Sequence, residues 1–165
     1  MVVSRSFDPA CVFCRIIAGE APASVVYRDD ATIAFMDIRP VNPGHLLVVP
    51  LAHAASLADL PAADGQRMFA VAHHLAGALR QSGIRCDGVN LFLADGAAAG
   101  QDVFHTHLHV LPRFAGDGIR VATFGRPPAD APSRGDLEEI AAAVRRALDE
   151  PRRAAPLRPI DASEG

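Results

Sequence analysis

The stretch Phe104-His105-Thr106-His107-Leu108-His109-Val110-Leu111-Pro112-Arg113 constrains this chain more than any other. Side chains alternate across a β-strand, so the spacing predicts His105, His107 and His109 on one face and Phe104, Thr106, Leu108 and Val110 on the other. One face reads as core and the other as a site. Imidazoles add little to packing, but a neutral imidazole is at once a nucleophile, a general base and a metal ligand. Same-face residues of a strand stand about 6.6 Å apart, so three in a row rarely converge on one ion, although two can.

Composition narrows the chemistry. All 16 basic residues are arginine, which excludes a lysine Schiff base, a lysine nucleophile and a P-loop lysine. A formal charge of −3 gives no basic surface for sequence-independent nucleic-acid binding, so small ligands are the expected partners. No apolar run approaches the roughly 20 residues needed to span a bilayer. The start, Met1 to Arg5, lacks a signal-peptide core, so the protein reads as soluble and cytoplasmic. Of three cysteines, Cys11 and Cys14 form a C-x-x-C and Cys86 stands alone, a pattern of metal or redox use and not of a secreted disulfide framework.

The 165 residues suit one domain. Residues 1–10 are expected to be disordered, 11–149 to form a single domain, and 150–165 to be a disordered tail. Cys11 to Gly19 reads as a helical turn stopped by glycine. Val25–Arg28 and Thr32–Asp37 read as a hairpin turning at Asp29-Asp30, with Asp37 at a strand end. His45–Pro50 is a central strand, with His53 just beyond it. From Pro61 to Ser82, Met68, Ala72, Leu75 and Leu79 recur at helical spacing, while His73 and His74 have no assignable role. Gly88–Ala94 is another strand, and Asp95–Gln101 is a small-residue loop whose amides could approach an anion. Residues 115–132 are rich in Gly and Pro, and a last helix carries Leu137, Ile140, Ala141, Val144 and Leu148 on its inner stripe. This order favours an α+β architecture: an antiparallel sheet of about five strands with two main helices on one side.

The motif His105-x-His107-x-His109, with Ala99-Gly100-Gln101-Asp102-Val103 before it and Pro112-Arg113 after it, closely resembles the signature of the histidine-triad (HIT) superfamily. Phe13–Glu20, Ala34–Ile38 and Pro43–Pro50 resemble further family blocks, in family order. The likeness is greatest to bacterial proteins related to the nucleoside-phosphoramidase branch, with some to the dinucleoside polyphosphate hydrolases. It implies a HIT-like sheet extended by homodimerisation. It also implies cleavage of a purine nucleotide or nucleotide conjugate at its α-phosphate, through a nucleotidyl-histidine intermediate on His107. His45 and His109 match the histidines that contact the phosphate, and Asp37 the position that holds the ribose hydroxyls. Gly100 and Gln101 would present loop groups and backbone amides to developing charge. A structural zinc on Cys11, Cys14, His53 and His105 is implied as well, with no organic cofactor. Two positions depart from the pattern: Ala94 stands where an Asn or Gln is common, and Asp102, also expected among the substrate-binding residues, stands where a Ser or Thr contacts the phosphate or leaving group, so that it could point away or act on the leaving group. Asn90 is too far along its strand to replace the missing amide. The alternatives are a nucleotide-binding module with weak or lost catalysis, and a zinc-dependent hydrolase using the histidine row as ligands.

Overall fold

The computed structural model describes residues 6–119. The expected last helix, most of the 115–132 segment and the 150–165 tail lie outside these residues. The chain divides into two units at Asp117, and every element below belongs to the first, Met1–Asp117.

Five strands form one sheet: β1 (Val25–Arg28), β2 (Thr32–Met36), β3 (Leu46–Pro50), β4 (Gly88–Phe92) and β5 (Leu108–Arg113), in the spatial order β1-β2-β3-β5-β4. All four pairings are antiparallel. Helix α1 (Val12–Ile17) precedes the sheet, and α2 (Ala62–Gln81) links β3 to β4. The fold is therefore the expected α+β arrangement on an antiparallel five-stranded sheet.

The hairpin turns where the sequence predicts. Asp29 Oδ1 accepts the amides of Ala31 at 2.9 Å and Thr32 at 2.7 Å, closing an Asx-type turn. Its Oδ2 accepts from Arg67 Nε of α2 at 2.6 Å and from the Tyr27 hydroxyl at 2.9 Å, so one carboxylate joins the turn to the helix. Helix α2 buries Met68, Val71, Ala72, Leu75 and Leu79, the predicted stripe with Val71 added, and leaves His73 and His74 exposed. Gly44 lets the loop before β3 approach closely: with φ +90°, its added Cβ would stand 3.1 Å from Leu79 and Pro112 side-chain atoms.

Two expectations are corrected. The sheet is covered on both faces, not one. Ala34, Leu46, Val48 and Val110 face α2, while the alternating Ile33, Phe35, Leu47 and Val49 pack with Cys11, Phe13 and Cys14 around α1. The second correction is that the histidine stretch is not strand throughout. Strand β5 begins only at Leu108, because the His105 amide folds back to the Val103 carbonyl at 2.9 Å and the Thr106 amide binds the Ala54 carbonyl at 2.7 Å instead of a ladder partner. Phe104, expected in the core, is consequently 53% exposed. Ser6, within the segment read as disordered, exchanges hydrogen bonds with the main chain of His53.

Burial raises the pKa of Asp29, but the Ala31 and Thr32 amides, Arg67 and Tyr27 outweigh it and hold the carboxyl at about 2. A folded pKa below the unfolded value gives stability that is present above about pH 4 and lost as the pH falls toward 2, at most about 2 kcal/mol here. Asp29→Asn is expected to lower unfolding stability by about 1–2 kcal/mol at pH 7 and to flatten that acid limb. Urea melts from pH 2 to 7 read both effects.

Candidate functional site

Cys11 caps the N-terminus of α1 and Cys14 lies one turn on, so both sulfurs face the same way. They meet His53, from the turn after β3, and His105, from the irregular stretch before β5. Cys11 Sγ stands 3.5 Å from His105 Nδ1, and Cys14 Sγ stands 3.6 Å from the same nitrogen and 3.4 Å from His53 Nδ1. A tetrahedral ion with metal–sulfur bonds of about 2.3 Å and metal–nitrogen bonds of about 2.0–2.1 Å sets sulfur and nitrogen about 3.5 Å apart, so the four residues fit one. Their ligand atoms lie within 4.8 Å of one another and could hold a metal ion.

The surroundings favour the same role. His105 is fully buried, and its Nε2 lies 3.0 Å from the Pro50 carbonyl; that ring N–H donates there and turns Nδ1 toward the sulfurs. Burial lowers the His105 pKa to about 4, so the ring is neutral and able to ligate. The Asp8 amide donates to Cys14 Sγ at 3.4 Å. Burial raises the Cys14 thiol pKa, against the pull of that amide, so a bound cation would supply the charge that ionises it.

His107 faces a different environment. Its Nδ1 lies 2.7 Å from the carbonyl of His105 and must carry the proton, which leaves the Nε2 lone pair directed elsewhere. The ring is buried and stands edge-on to Phe13, with centroids 5.2 Å apart. His109 is turned by His45. The Val41 amide donates to His45 Nδ1 at 3.2 Å, so the His45 proton is on Nε2, which lies 2.9 Å from His109 Nδ1. His109 Nδ1 therefore accepts, and its own proton sits on Nε2. Burial lowers the pKa of both rings, to about 4 for His109, where the neighbouring His107 and His45 add to the effect. Asp37 Oδ2 is 3.6 Å from His45 Nδ1, and Asp37 Oδ1 accepts the Arg39 amide at 2.8 Å.

Asp37, His45 and His109 also bring ligand atoms within 4.8 Å. The hydrogen bonds make this a proton chain and not a metal pocket, because the amide of Val41 occupies one His45 nitrogen and His109 the other. The three histidines of the row are thus split among a Cys/His cluster, a main-chain carbonyl and a second histidine. Among the described residues their ligand atoms do not form one group, so the row as a catalytic metal site has no support.

His107 and His109 open into a cavity of about 600 Å³, within the ordinary range for small-ligand sites. Val12, Phe13, Ile16, Phe35 and Leu47 supply an apolar wall, and Ser24, Asp37, Arg39 and Asp102 supply polar groups. Gly100 and Gln101 are not among its lining. The 3₁₀ turn Ala97–Ala99 closes on itself: the Gly100 amide binds the Ala97 carbonyl and the Gln101 amide binds the Gly96 carbonyl. The buried Gln101 side chain accepts from the Gly96 amide and donates to the carbonyls of Ala55 and Val103. Asn90 accepts from Arg113 and lies outside the cavity lining, and Ala94 is buried without a polar group. Sequence reasoning missed Phe13, Arg39 and the Val41 amide. Phe13 alone had a signal, as an aromatic lying between two prospective ligands.

A family model described as "HIT domain" matches residues 18–116, more than half of the chain. An uncharacterised HIT-like protein of Borreliella burgdorferi is 44% identical over 110 residues, 66% of this chain and 79% of that one. The Arabidopsis thaliana protein named Adenylylsulfatase HINT3 is 37% identical over 112 residues, 68% of this chain and 56% of that one. Among solved structures, a HIT family member from Bacillus subtilis superposes with a TM-score of 0.75 at 32% identity, covering 90% of this chain and 99% of that one. A Zn-bound histidine triad protein from Mycobacterium smegmatis gives 0.66 at 40% identity, covering 81% and 97%. With this match over the sheet and all three histidines of the motif, the chain belongs to the HIT family.

Proposed function

We propose that the protein is a nucleotide hydrolase or transferase that cleaves a nucleoside phosphoramidate, adenylyl conjugate or dinucleoside polyphosphate at its α-phosphate. The observation that carries this reading is the His107 tautomer. With Nδ1–H held by the His105 carbonyl, the Nε2 lone pair is oriented for attack before any substrate arrives. Nε2 bonds to phosphorus through its lone pair, while the leaving group departs with the electron pair of the bond that breaks. Positive charge gathers on the ring, where the His105 carbonyl stabilises it. Water then displaces the histidine and releases a nucleoside monophosphate. His109 Nε2–H donates to a phosphate oxygen, and His45 holds that tautomer in place. Asp37 accepts from the ribose hydroxyls at the nucleoside end, against the apolar wall where a purine base fits. The name of the Arabidopsis relative points to adenylyl conjugates as one class.

The metal we assign to Cys11, Cys14, His53 and His105 is zinc, in a structural role. The donor set is the one zinc prefers, and an M. smegmatis relative is described as Zn-bound. Zinc would supply cross-linking here, tying α1 to the sheet. We also propose a cytoplasmic homodimer with a single domain over 11–149. Pairing would run through the β4 edge, where Leu91 and Phe92 are exposed. A second reading, a nucleotide-binding module with weak catalysis, is favoured by Ala94 and by the internally committed amides of Gly100 and Gln101.

Incubation with an adenosine phosphoramidate and acid-free mass spectrometry is expected to show an adenylylated peptide spanning His107, absent in His107→Asn. Binding without adduct or turnover across phosphoramidate, phosphosulfate and dinucleoside substrates would favour the binding module. Cys14→Ser is expected to lose metal by elemental analysis and to lower stability by about 3 kcal/mol or more. If metal content were unchanged, the ligand assignment would be wrong.

A further inference from the structure

In-line displacement places the leaving group opposite the attacking atom. His107 lies buried at the floor of the cavity, so a nucleotide attacked by its Nε2 must direct its leaving group outward, toward the open rim. Asp102 is on that rim. Its carboxylate is 3.7 Å from the Arg39 guanidinium, with the two side chains 70% and 85% exposed. An ion pair this exposed is worth little and exchanges readily with a competing charge. Apart from the histidines, the ionisable residues lining the cavity are Asp37, Asp102 and Arg39, so the rim offers any arriving cation a carboxylate whose present partner is loosely held.

We propose that Asp102 is a specificity-determining residue, which favours leaving groups that are cationic or become so on departure, amines above all, and disfavours anionic ones such as sulfate or phosphate. This rests on the nucleotidyl-transfer reading of His107. When a phosphoramidate is cleaved, its nitrogen first takes a proton from solvent at the rim, so that it carries positive charge beside the Asp102 carboxylate while still bound to phosphorus. The P–N electron pair then stays on nitrogen as the bond breaks, and the amine departs neutral and takes a second proton from solvent to become an ammonium; the carboxylate stabilises the protonated nitrogen that the reaction passes through. When sulfate leaves, it takes both bond electrons with no proton, and negative charge grows beside the same carboxylate. A hydroxyl at position 102, as the family pattern implies, carries no charge and would not discriminate in this way.

The experiment compares kcat/KM for an adenosine 5′-(N-alkyl phosphoramidate) with that for adenosine 5′-phosphosulfate, in the full-length protein and in Asp102→Asn and Asp102→Glu. The amine-to-sulfate preference is expected to fall about tenfold in Asp102→Asn, as loss of one nearby charge predicts, and to be largely restored in Asp102→Glu. In the wild type it should also shrink as salt rises from about 0.02 to about 0.5 M, which a purely structural role of Asp102 would not produce. An Asp102→Asn preference within about twofold of wild type, on a charge effect of this size, overturns the proposal. So does a wild-type preference for the phosphosulfate, which would make Arg39 the selecting group. A wild type that cleaves neither compound and forms no His107 adduct overturns the nucleotidyl-transfer reading, and this proposal with it.

Discussion

Residue 105 is where two systems meet. Its imidazole is fixed by the Pro50 carbonyl and faces two cysteine sulfurs, while its own carbonyl fixes the ring of His107. The side chain therefore serves the Cys/His cluster and the main chain serves the cavity. Displacing the backbone at 105 would release the His107 tautomer even with every side chain intact. This arrangement also explains why a histidine with no access to the cavity belongs to the motif: it sets where the next one points.

The electrostatic setting follows from burial. His45, His105 and His109 all have pKa values lowered by desolvation, and of the two carboxylates of the cavity Asp102 is open to solvent while Asp37 is largely covered. Neutral rings can act as ligands, acceptors or donors according to tautomer, and here each tautomer is set by a main-chain group: Pro50 for His105, His105 for His107, Val41 for His45 and, through it, His109. A main-chain carbonyl survives any substitution, and the Val41 amide would be lost only to proline.

Much of this was legible in the sequence. The strands at 25–28, 32–36 and 46–50, the stripe of α2 and the four-residue Cys/His set follow from alternation, helical period and motif resemblance. Where pattern and structure differ, the causes are physical. Period-two spacing at 104–107 imitates a strand, yet the amides there bind Val103 and Ala54, a choice made by tertiary partners and invisible in the pattern. The small residues of 97–101 permit an anion loop and equally permit a turn that binds the Gly100 and Gln101 amides internally, and composition alone does not choose between the two. Burial of both sheet faces is written in the apolar runs Ile33 to Met36 of β2 and Leu46 to Pro50 of β3, which leave no polar side for solvent.

Helix α1 has only six residues, too few to persist in water by its own hydrogen bonds. Its order is borrowed from what touches it: the sheet beneath, the cluster reached by Cys11 and Cys14, and the cavity walled by Val12, Phe13 and Ile16. Whatever steadies this helix from one side lowers the entropy still to be lost on the other. The two pockets are in this sense communicating vessels. A ligand that ordered α1 from one side would leave less disorder to be removed from the other, and linkage would make that help mutual.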